Sequence, residues 1–474
     1  MIQHASNNYT TYTPSGGSEY LPSYNVINYN PDNQSTSVTV STSTQIVQWS
    51  VPSGIFNFGL DSSGIRMKVS IADPADTVQQ HLYAHPFSMF QSLDVRTESG
   101  QVLVSLPSLY KYSYAVIRRE ITIGELMSLP IPFLDTASAS NDKGIWAFCH
   151  RNFASIGHYR NVASGRSLTL GEPMEFASGN AVNLVTAVDC FIPFWLLKNT
   201  LLSANMDLYV PENTIWSFTF LERGRSSMTT SAVLTAITPT LYWVSQSAIS
   251  VTDGVVDITV SNLHLELSRQ SNAKLNEKIK SAFMGGLKVC LPYIHQQSAS
   301  LTGTSQLMDV NLNSGVGSHL KKLFYTAFAT SEASSSATQA NIYDNNGLAD
   351  AKIQVHYLTL NTLDAGNYTS KQWDISASDD YNHVRNQLVG KAISVGGSYA
   401  YYANHCISYD FTAAGSHDLF EGYPEDRFRG GIPLASQVKM TFNNTTTSGS
   451  FTHFVWAVVS RTYSIDEAGL IKFV

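Results

Sequence analysis

Charged residues are scarce in this chain of 474 residues. Asp, Glu, Lys and Arg together make up 14% of it, against about 25% in typical soluble proteins, and the formal net charge is −7. Neither Lys nor Arg occurs before Arg66. Binding to a phosphate backbone requires clustered Lys and Arg. The composition therefore argues against a nucleic-acid-binding protein and against a basic, genome-binding arm.

Cysteine is also scarce, and no two cysteines are closely spaced. The four residues, none of them in a CxxC motif, are Cys149, Cys190, Cys290 and Cys406. We expect buried free thiols, which are usual in a chain folded in a reducing compartment. The first residues lack the charged and apolar regions of a signal peptide. No run of about 20 apolar residues occurs, so we expect no membrane span.

Motifs for metal binding and cysteine chemistry are incomplete. His81 and His85 have the spacing of two ligands on one helix face, but Pro86 follows at once and no nearby Glu or third His completes a zinc motif. Cys149 and His158 lie in one Ser- and Gly-rich segment. A catalytic cysteine needs a base that the fold places across the site, so this proximity in sequence favours a structural loop.

Phosphate loops, nucleophile elbows and dinucleotide fingerprints are absent as well. Gly390-Lys391-Ala392 lacks the Ser or Thr of a phosphate loop. The acidic cluster Glu421, Glu425 and Asp426, with glycines and arginines beside it, is typical of a solvated loop. A carboxylate pair from distant strands remains open. We predict no catalytic, cofactor-binding or metal site, and no enzyme.

Alternating apolar residues dominate the first half. Ile65, Met67, Val69 and Ile71 alternate with polar residues in GIRMKVSIA, as a half-buried strand requires. Further strands are predicted at QIVQWSV, around Leu93 and Val95, at QVLVSL after the turn at Ser99-Gly100, at NLVTAVDCFIPFW and at MDLYVPENTIWSFTFLE. Trp216, Phe218 and Phe220 share one face of the last segment, which favours a core position.

The stretch from Gly254 to Gly286 divides the chain. Its apolar residues change parity at Ser261-Asn262, which predicts either a β-bulge or a strand covered on both faces. The pattern then becomes helical, with Leu275, Ile279 and Phe283 at a spacing of four. Asn272 is the predicted N-cap, and Gly285-Gly286 is the predicted stop.

The second half repeats the β pattern. Strands are predicted at LKVCLPYIH, KIQVHYLTL, HCISYDF, QVKMTF and FTHFVWAVVS, with a strand or short helix at GSHLKKLFYTAFA and a helix at DDYNHVRNQLVGKAI. We therefore predict an all-β fold of two tandem antiparallel sandwiches. The predicted divisions are a polar arm over residues 1–44, a first sandwich over 45–270, a helical linker over 271–286 and a second sandwich over 287–474. We expect the arm to become ordered only against a partner.

This layout resembles that of the double jelly-roll major capsid proteins of tailless icosahedral DNA viruses, in particular the polinton-like virus and virophage type. The resembling segments are MDLYVPENTIWSFTF, VVDITVSNLHLEL, GSHLKKLFYTAF, KIQVHYLTLN, HVRNQLVGKAI and the end from GGIPLASQVKMTF to DEAGLIKFV. The resemblance implies two eight-stranded jelly rolls in one chain. It also implies a homotrimer that forms pseudo-hexameric capsomers of an icosahedral shell.

The resemblance also implies partners and a location. The partners are further copies of the chain, penton proteins and minor capsid or cement proteins, with an internal membrane face left open and no sequence-specific nucleic acid. The location is the virion capsid, with the host cytoplasm or viral factory during assembly. No loop is long enough for a large tower domain. An alternative from another class is a carbohydrate- or receptor-binding double sandwich, such as a lectin or fibre, which predicts exposed aromatic residues on loops.

Overall fold

The chain folds into two β-sandwich units that follow one another in sequence. The computed structural model describes residues 21–32, 36–40, 44–71, 81–82, 87, 90–112, 116, 174–175, 187–220, 236–237, 242–243, 258–303, 306–329, 355–361, 367–374, 407–410, 432–434, 438–444 and 450–473. The statements that follow concern these residues.

The first unit contains fifteen described strands and one short helix. In chain order they are β1 (Tyr24–Tyr29), β2 (Val38–Val40), β3 (Ile46–Val51), β4 (Gly54–Asn57), β5 (Gly64–Ile71), β6 (His81–Leu82), β7 (Phe90–Thr97), β8 (Val102–Leu106), α1 (Leu109–Tyr112), β9 (Met174–Glu175), β10 (Ala187–Pro193), β11 (Leu208–Val210), β12 (Thr214–Phe220), β13 (Ala236–Ile237), β14 (Tyr242–Trp243) and β15 (Ile258–Gln270). Two 3₁₀ turns, Phe194–Leu196 and Leu201–Ser203, connect β10 to β11.

Two antiparallel sheets form the body of this unit. One has the order β10-β5-β15, and β1 and β2 lie end to end along the far side of β15. The other has the order β3-β12-β7-β8. The short strands β4 and β11 extend the first sheet near the end of β15. Trp49, Trp216 and Phe218 point between the two sheets and are almost fully buried.

The second unit begins after helix α2 (Ala273–Met284). Its strands are β16 (Val289–Thr302), β17 (Gln306–Leu312), β18 (His319–Ala329), β19 (Val355–Asn361), β20 (Asn367–Asp374), β21 (Ile407–Asp410), β22 (Ile432–Pro433), β23 (Val438–Asn444), β24 (Ser450–Ile465) and β25 (Ile471–Phe473). Its sheets have the orders β16-β24-β18-β21 and β17-β23-β19-β20.

The two units share one strand order. We count β1 with β2 as the first principal strand of unit one, and leave out the short accessory strands in both units. The first, eighth, third and sixth strands then form one sheet in each unit, and the second, seventh, fourth and fifth form the other. This is the eight-stranded jelly-roll arrangement. The predicted fold class, two tandem antiparallel jelly rolls with a few short helices, is confirmed.

The predicted irregularity in β15 is a β-bulge. The register against β5 shifts between Ser261 and His264, and Asn262 has a φ of 50°. The extra residue reverses which side chains face the core, so Val260 is buried before the bulge and Leu263, Leu265 and Leu267 are buried after it. A change of parity in the sequence thus located a backbone feature.

Helix α2 also begins and ends as predicted. The Asn272 side chain accepts a hydrogen bond from the Leu275 backbone N–H at 3.2 Å, which is an N-cap. Gly286 follows the helix with a φ of 90°, a conformation that glycine adopts without strain. The helix buries Leu275, Ile279 and Phe283 on one face.

The prediction that residues 1–44 form an arm outside the first sandwich is wrong for β1 and β2. Both strands pair with β15, with Tyr24 opposite Gln270 and Val38 opposite Val260. They supply the first strand of the jelly roll. The sequence concealed this strand because it is divided into β1 and β2 and because β1 is rich in Asn and Tyr. Residues 1–20 lie outside the described part of the chain.

Other segments differ in detail from the sequence predictions. GSHLKKLFYTAFA, left open as strand or helix, is a strand. Strand β17 was missed, although its residues alternate between buried and exposed. One helical turn, α1, follows β8. The predicted helix at 379–393 lies outside the described residues, as does the Ser- and Gly-rich segment that contains Cys149 and His158.

Candidate structural site: the seam between the two units

Strand β24 is buried on both faces because it lies between its own sandwich and the first unit. Phe454, Trp456 and Val458 belong to one continuous apolar cluster with the core of the first unit. Val455 and Val459 alternate with them and are also buried. Side chains of a strand alternate between faces. One set therefore covers the first unit, and the other fills the second sandwich.

Helix α2 closes one end of this seam. Phe283 packs against Tyr209 of β11 and Tyr463 of β24, with ring centroids 6.3 Å and 5.9 Å away. The Tyr463 hydroxyl donates a hydrogen bond to the Tyr209 carbonyl oxygen at 2.6 Å, and burial raises the pKa of Tyr463. The Ile471 backbone N–H donates to Glu212 Oε1 at 3.1 Å. The end of the chain is thus attached to the first unit.

Arg461 of β24 is a charged residue that contacts both units. Its guanidinium carbon lies 3.3 Å from the Tyr293 ring centroid, a cation–π arrangement. Its Nε donates to the Val316 carbonyl oxygen at 2.8 Å, and Nη1 lies 3.5 Å from the Val102 carbonyl oxygen of the first unit. Burial lowers the pKa of Arg461. No local pattern indicates this role, because Arg461 follows an apolar run like any residue at the end of a strand.

A second set of polar contacts lies where β16 meets α1. Gln296 donates from Nε2 to Ser108 Oγ at 2.9 Å and accepts from Trp456 Nε1 at 3.0 Å. The rings of Tyr112 and Trp456 meet edge to face, 5.8 Å apart. These contacts fix the side-chain orientations at the seam, since buried donors need partners. Apolar packing and hydrogen bonds thus hold the two units together.

A buried polar network attaches β1 to the first unit. The Tyr24 hydroxyl donates to Asp207 Oδ1 at 2.7 Å, and Gln270 Nε2 donates to Oδ2 at 3.1 Å. Asp207 is 4% exposed, and burial raises its pKa, although its hydrogen bonds lower it in part. Gln270 Oε1 also accepts from the backbone N–H groups of Ser23 and Asn272. The network joins β1, β15 and the start of α2.

The described surface carries dispersed apolar side chains and few charges. The large apolar residues exposed by at least 40% are Leu21, Val26, Ile46, Ile215, Met284, Leu307 and Leu470. An ion pair joins Arg66 to Glu266, whose Oε1 also lies 3.1 Å from His264 Nε2. Arg96 pairs with Asp94. These pairs neutralise charge on the outer faces of both sheets of the first unit.

Most of the motif residues weighed in the sequence lie outside the described part of the chain. His81 lies in β6 opposite Glu175, whereas His85, Cys149, His158 and the cluster Glu421, Glu425 and Asp426 lie outside the described residues, as does Cys406. Cys290 is free and half-buried. Within the described ranges, no three His, Cys, Asp or Glu residues are grouped to hold a metal ion. No helix there is long and apolar enough to cross a membrane.

Known proteins resemble this chain in structure and not in sequence. No family model matches it, and no curated protein matches it. Similar solved structures include the mavirus major capsid protein, at a TM-score of 0.47 and 9% identity, with 98% of this chain and 93% of that chain covered. The Faustovirus major capsid protein has a TM-score of 0.48 and 9% identity, with 96% of this chain and 92% of that chain covered. The Sputnik virophage structure has a TM-score of 0.44 and 12% identity, with 98% of this chain and 89% of that chain covered. Similarity at this level does not identify a function.

Proposed function

We propose that this chain is a structural capsid subunit that assembles as a trimer into pseudo-hexameric capsomers of an icosahedral shell. The observation that carries the proposal is the repeated strand order of the two units. Three copies of a chain with two similar sandwiches place six sandwiches around one axis. A ring of this kind has a nearly hexagonal outline, and hexagonal outlines tile a surface without gaps.

The seam supports this role because it joins the two sandwiches into one body. Phe283 of α2 packs against both units. Arg461 and Trp456 of the second unit contact the first unit at Val102 and Tyr112. A capsid subunit must keep its shape while it contacts neighbouring subunits. A large apolar interface between two domains restrains their relative motion. A pair of sandwiches connected by a flexible linker would lack this property.

The surface composition supports association with further copies of the chain. Charged residues make up only 14% of the sequence, and apolar side chains such as Ile215 and Leu307 are exposed. Interface cores are depleted of charged residues. We expect each trimer contact to bury more than the roughly 1,200–2,000 Å² of a standard interface.

The proposed partners exclude direct, sequence-specific nucleic acid contact. The segment before Arg66 has no Lys or Arg, so it cannot displace counterions from a phosphate backbone. Other copies of the chain, penton proteins, minor capsid or cement proteins and an internal membrane face are the proposed neighbours in the virion. We propose no catalytic role for the protein.

Negative-stain microscopy of the purified full chain tests this function. We expect particles of hexagonal outline and, as salt and protein concentration are varied, curved sheets or closed shells. Glycan-array binding by dispersed monomers, with no lattice under any condition, would instead favour the lectin-like alternative.

A further inference from the structure

Three buried side chains form a directed hydrogen-bond chain in the second unit. The Tyr325 hydroxyl lies 2.8 Å from His453 Nδ1, and His453 Nε2 lies 2.6 Å from Gln306 Oε1. Gln306 Nε2 donates to the Gly303 carbonyl oxygen at 3.1 Å. Tyr325 and His453 are 0% exposed and Gln306 is 1% exposed. The chain crosses from β18 and β24 in one sheet to β17 in the other.

The donors of these hydrogen bonds indicate that His453 is neutral. Because Gln306 Nε2 donates to Gly303, the oxygen Oε1 faces His453, and His453 Nε2 must carry the hydrogen. Nδ1 is then the acceptor of the Tyr325 hydroxyl. A second proton on the ring would occupy Nδ1, so Tyr325 would have to turn its own hydrogen to another acceptor. The new charge would also have no contact with water.

Among the described residues, the strand partners and hydrogen-bond partners of His453 carry no negative charge that would stabilise a protonated ring. β24 pairs on one side with β16, where Ala299 lies opposite His453, and on the other with β18, where Ala327 does. Gln306 is its contact from β17, and Tyr325 is the one titratable group bonded to it among the described residues. Burial alone lowers the pKa of His453 from 6.5 to about 4, and burial raises the pKa of Tyr325.

The buried acid of the first unit responds in the opposite direction. Burial raises the pKa of Asp207 above 3.8, so the folded state takes up a proton more readily than the unfolded state, and folding becomes more favourable as the pH falls. The titratable group that faces Asp207 is Tyr24 of β1; Gln270 and Asn57 are its neutral neighbours. For His453 the unfolded chain binds the proton more readily, so stability falls as the pH drops from 6.5 towards 4.

We propose that the Tyr325–His453–Gln306 chain makes the second jelly roll selectively acid-labile, so that mild acid opens the end of this sandwich while the first jelly roll stays closed. The group that responds is a side chain of the fold itself and needs no ligand. The effect belongs to the single chain, and it holds whether or not the protein forms a shell.

Hydrogen exchange followed by mass spectrometry on the full chain tests the proposal. After correction for intrinsic exchange rates, we expect the opening equilibrium of peptides from β17 and β24 to rise roughly 30-fold between pH 7.5 and pH 5.0, as the two pKa values require. Peptides from β5 and β15 in the first unit should not show this rise in the opening equilibrium. His453→Gln should remove most of the increase.

Two other histidines provide matched controls. Burial also lowers the pKa values of His295 and His319. Neither residue belongs to the Tyr325–His453–Gln306 hydrogen-bond chain, so His295→Gln and His319→Gln should keep most of the increase in opening. If His453→Gln keeps the full increase, or if either control abolishes it, the proposal is wrong.

A second readout applies if His453→Gln does not fold. In the wild-type chain labelled with ¹³C at histidine Cε1, the His453 signal, assigned by its shift in Tyr325→Phe, should remain that of a neutral ring down to pH 5. Titration of that signal near pH 6.5 would overturn the proposal.

Discussion

Asn262 shows how one backbone conformation decides which side chains of β15 are buried. Its φ of 50° lies in the left-handed region, which Asn tolerates better than other non-glycine residues. His264 Nδ1 lies 2.8 Å from the Asn262 carbonyl oxygen and so supports the bulge. The sequence located this bulge because it changes the parity of the apolar residues.

Replacing Asn262 with a β-branched residue should therefore be costly although the site is exposed. We expect Asn262→Val to lower the free energy of unfolding by about 1–2 kcal/mol, the cost of the left-handed conformation. Asn262→Gly should change it by less than about 0.5 kcal/mol. Chemical denaturation of both variants gives the comparison, and equal losses would show that φ is not the cause.

Arg461 provides a test of the seam. Its guanidinium stacks on Tyr293 and bonds to two carbonyl oxygens, a combination that the lysine ammonium cannot reproduce. We expect Arg461→Ala to cost about 2–3 kcal/mol of unfolding free energy and Arg461→Lys about half of that. Arg269→Ala is the control, since Arg269 is exposed whereas Arg461 is half-buried. A loss from Arg269→Ala as large as that from Arg461→Ala would contradict this account of the seam.

At the scale of elements, α2 stabilises the seam through one face. Phe283 is 2% exposed between Tyr209 and Tyr463, whereas its neighbour Met284 is 55% exposed. We expect Phe283→Ala to cost about 3–5 kcal/mol and Met284→Ala less than about 0.5 kcal/mol. Thermal unfolding of the two variants measures the difference. A small effect of Phe283→Ala would mean that the two units do not depend on the helix.

The N-terminal strands give a second test at this scale. Because β1 and β2 complete the sheet beside β15, deletion of residues 1–44 should expose the β15 edge and destabilise the first unit, with aggregation as the expected result. Deletion of residues 1–20, which removes neither β1 nor β2, is the comparison, and the longer deletion should lower the soluble yield and the melting temperature further than this one does. Static light scattering and thermal unfolding distinguish the two variants. A folded, soluble chain after the longer deletion would restore the earlier view of these residues as an arm.

The elements differ in how far the sequence predicts them. Strong periodicity predicted β5, β12, β15 and α2, since each buries a regular set of apolar residues. β1 was missed because polar contacts hold it: Tyr24 bonds to Asp207, 183 positions away in sequence, and no local pattern reveals such a partner. The buried chain from Tyr325 to His453 was missed for the same reason, since Gln306 lies on another strand.

At the scale of the whole molecule, one strand order occurs twice and one seam joins the two copies. The repeat was visible in the sequence only as similar β patterning on both sides of the helix. Strand order itself depends on long-range pairing, such as that of β16 with β24, which no local signal fixes. This architecture is compatible with the proposed trimer, in which three chains would supply six similar sandwiches.

The mass of the purified chain in solution tests this account most directly. Size-exclusion chromatography with light scattering at micromolar concentration should give three times the chain mass of 52.0 kDa, and the mass should stay constant on dilution through the micromolar range. A particle of 52.0 kDa at every concentration, with no shell assembly under any condition, would contradict it.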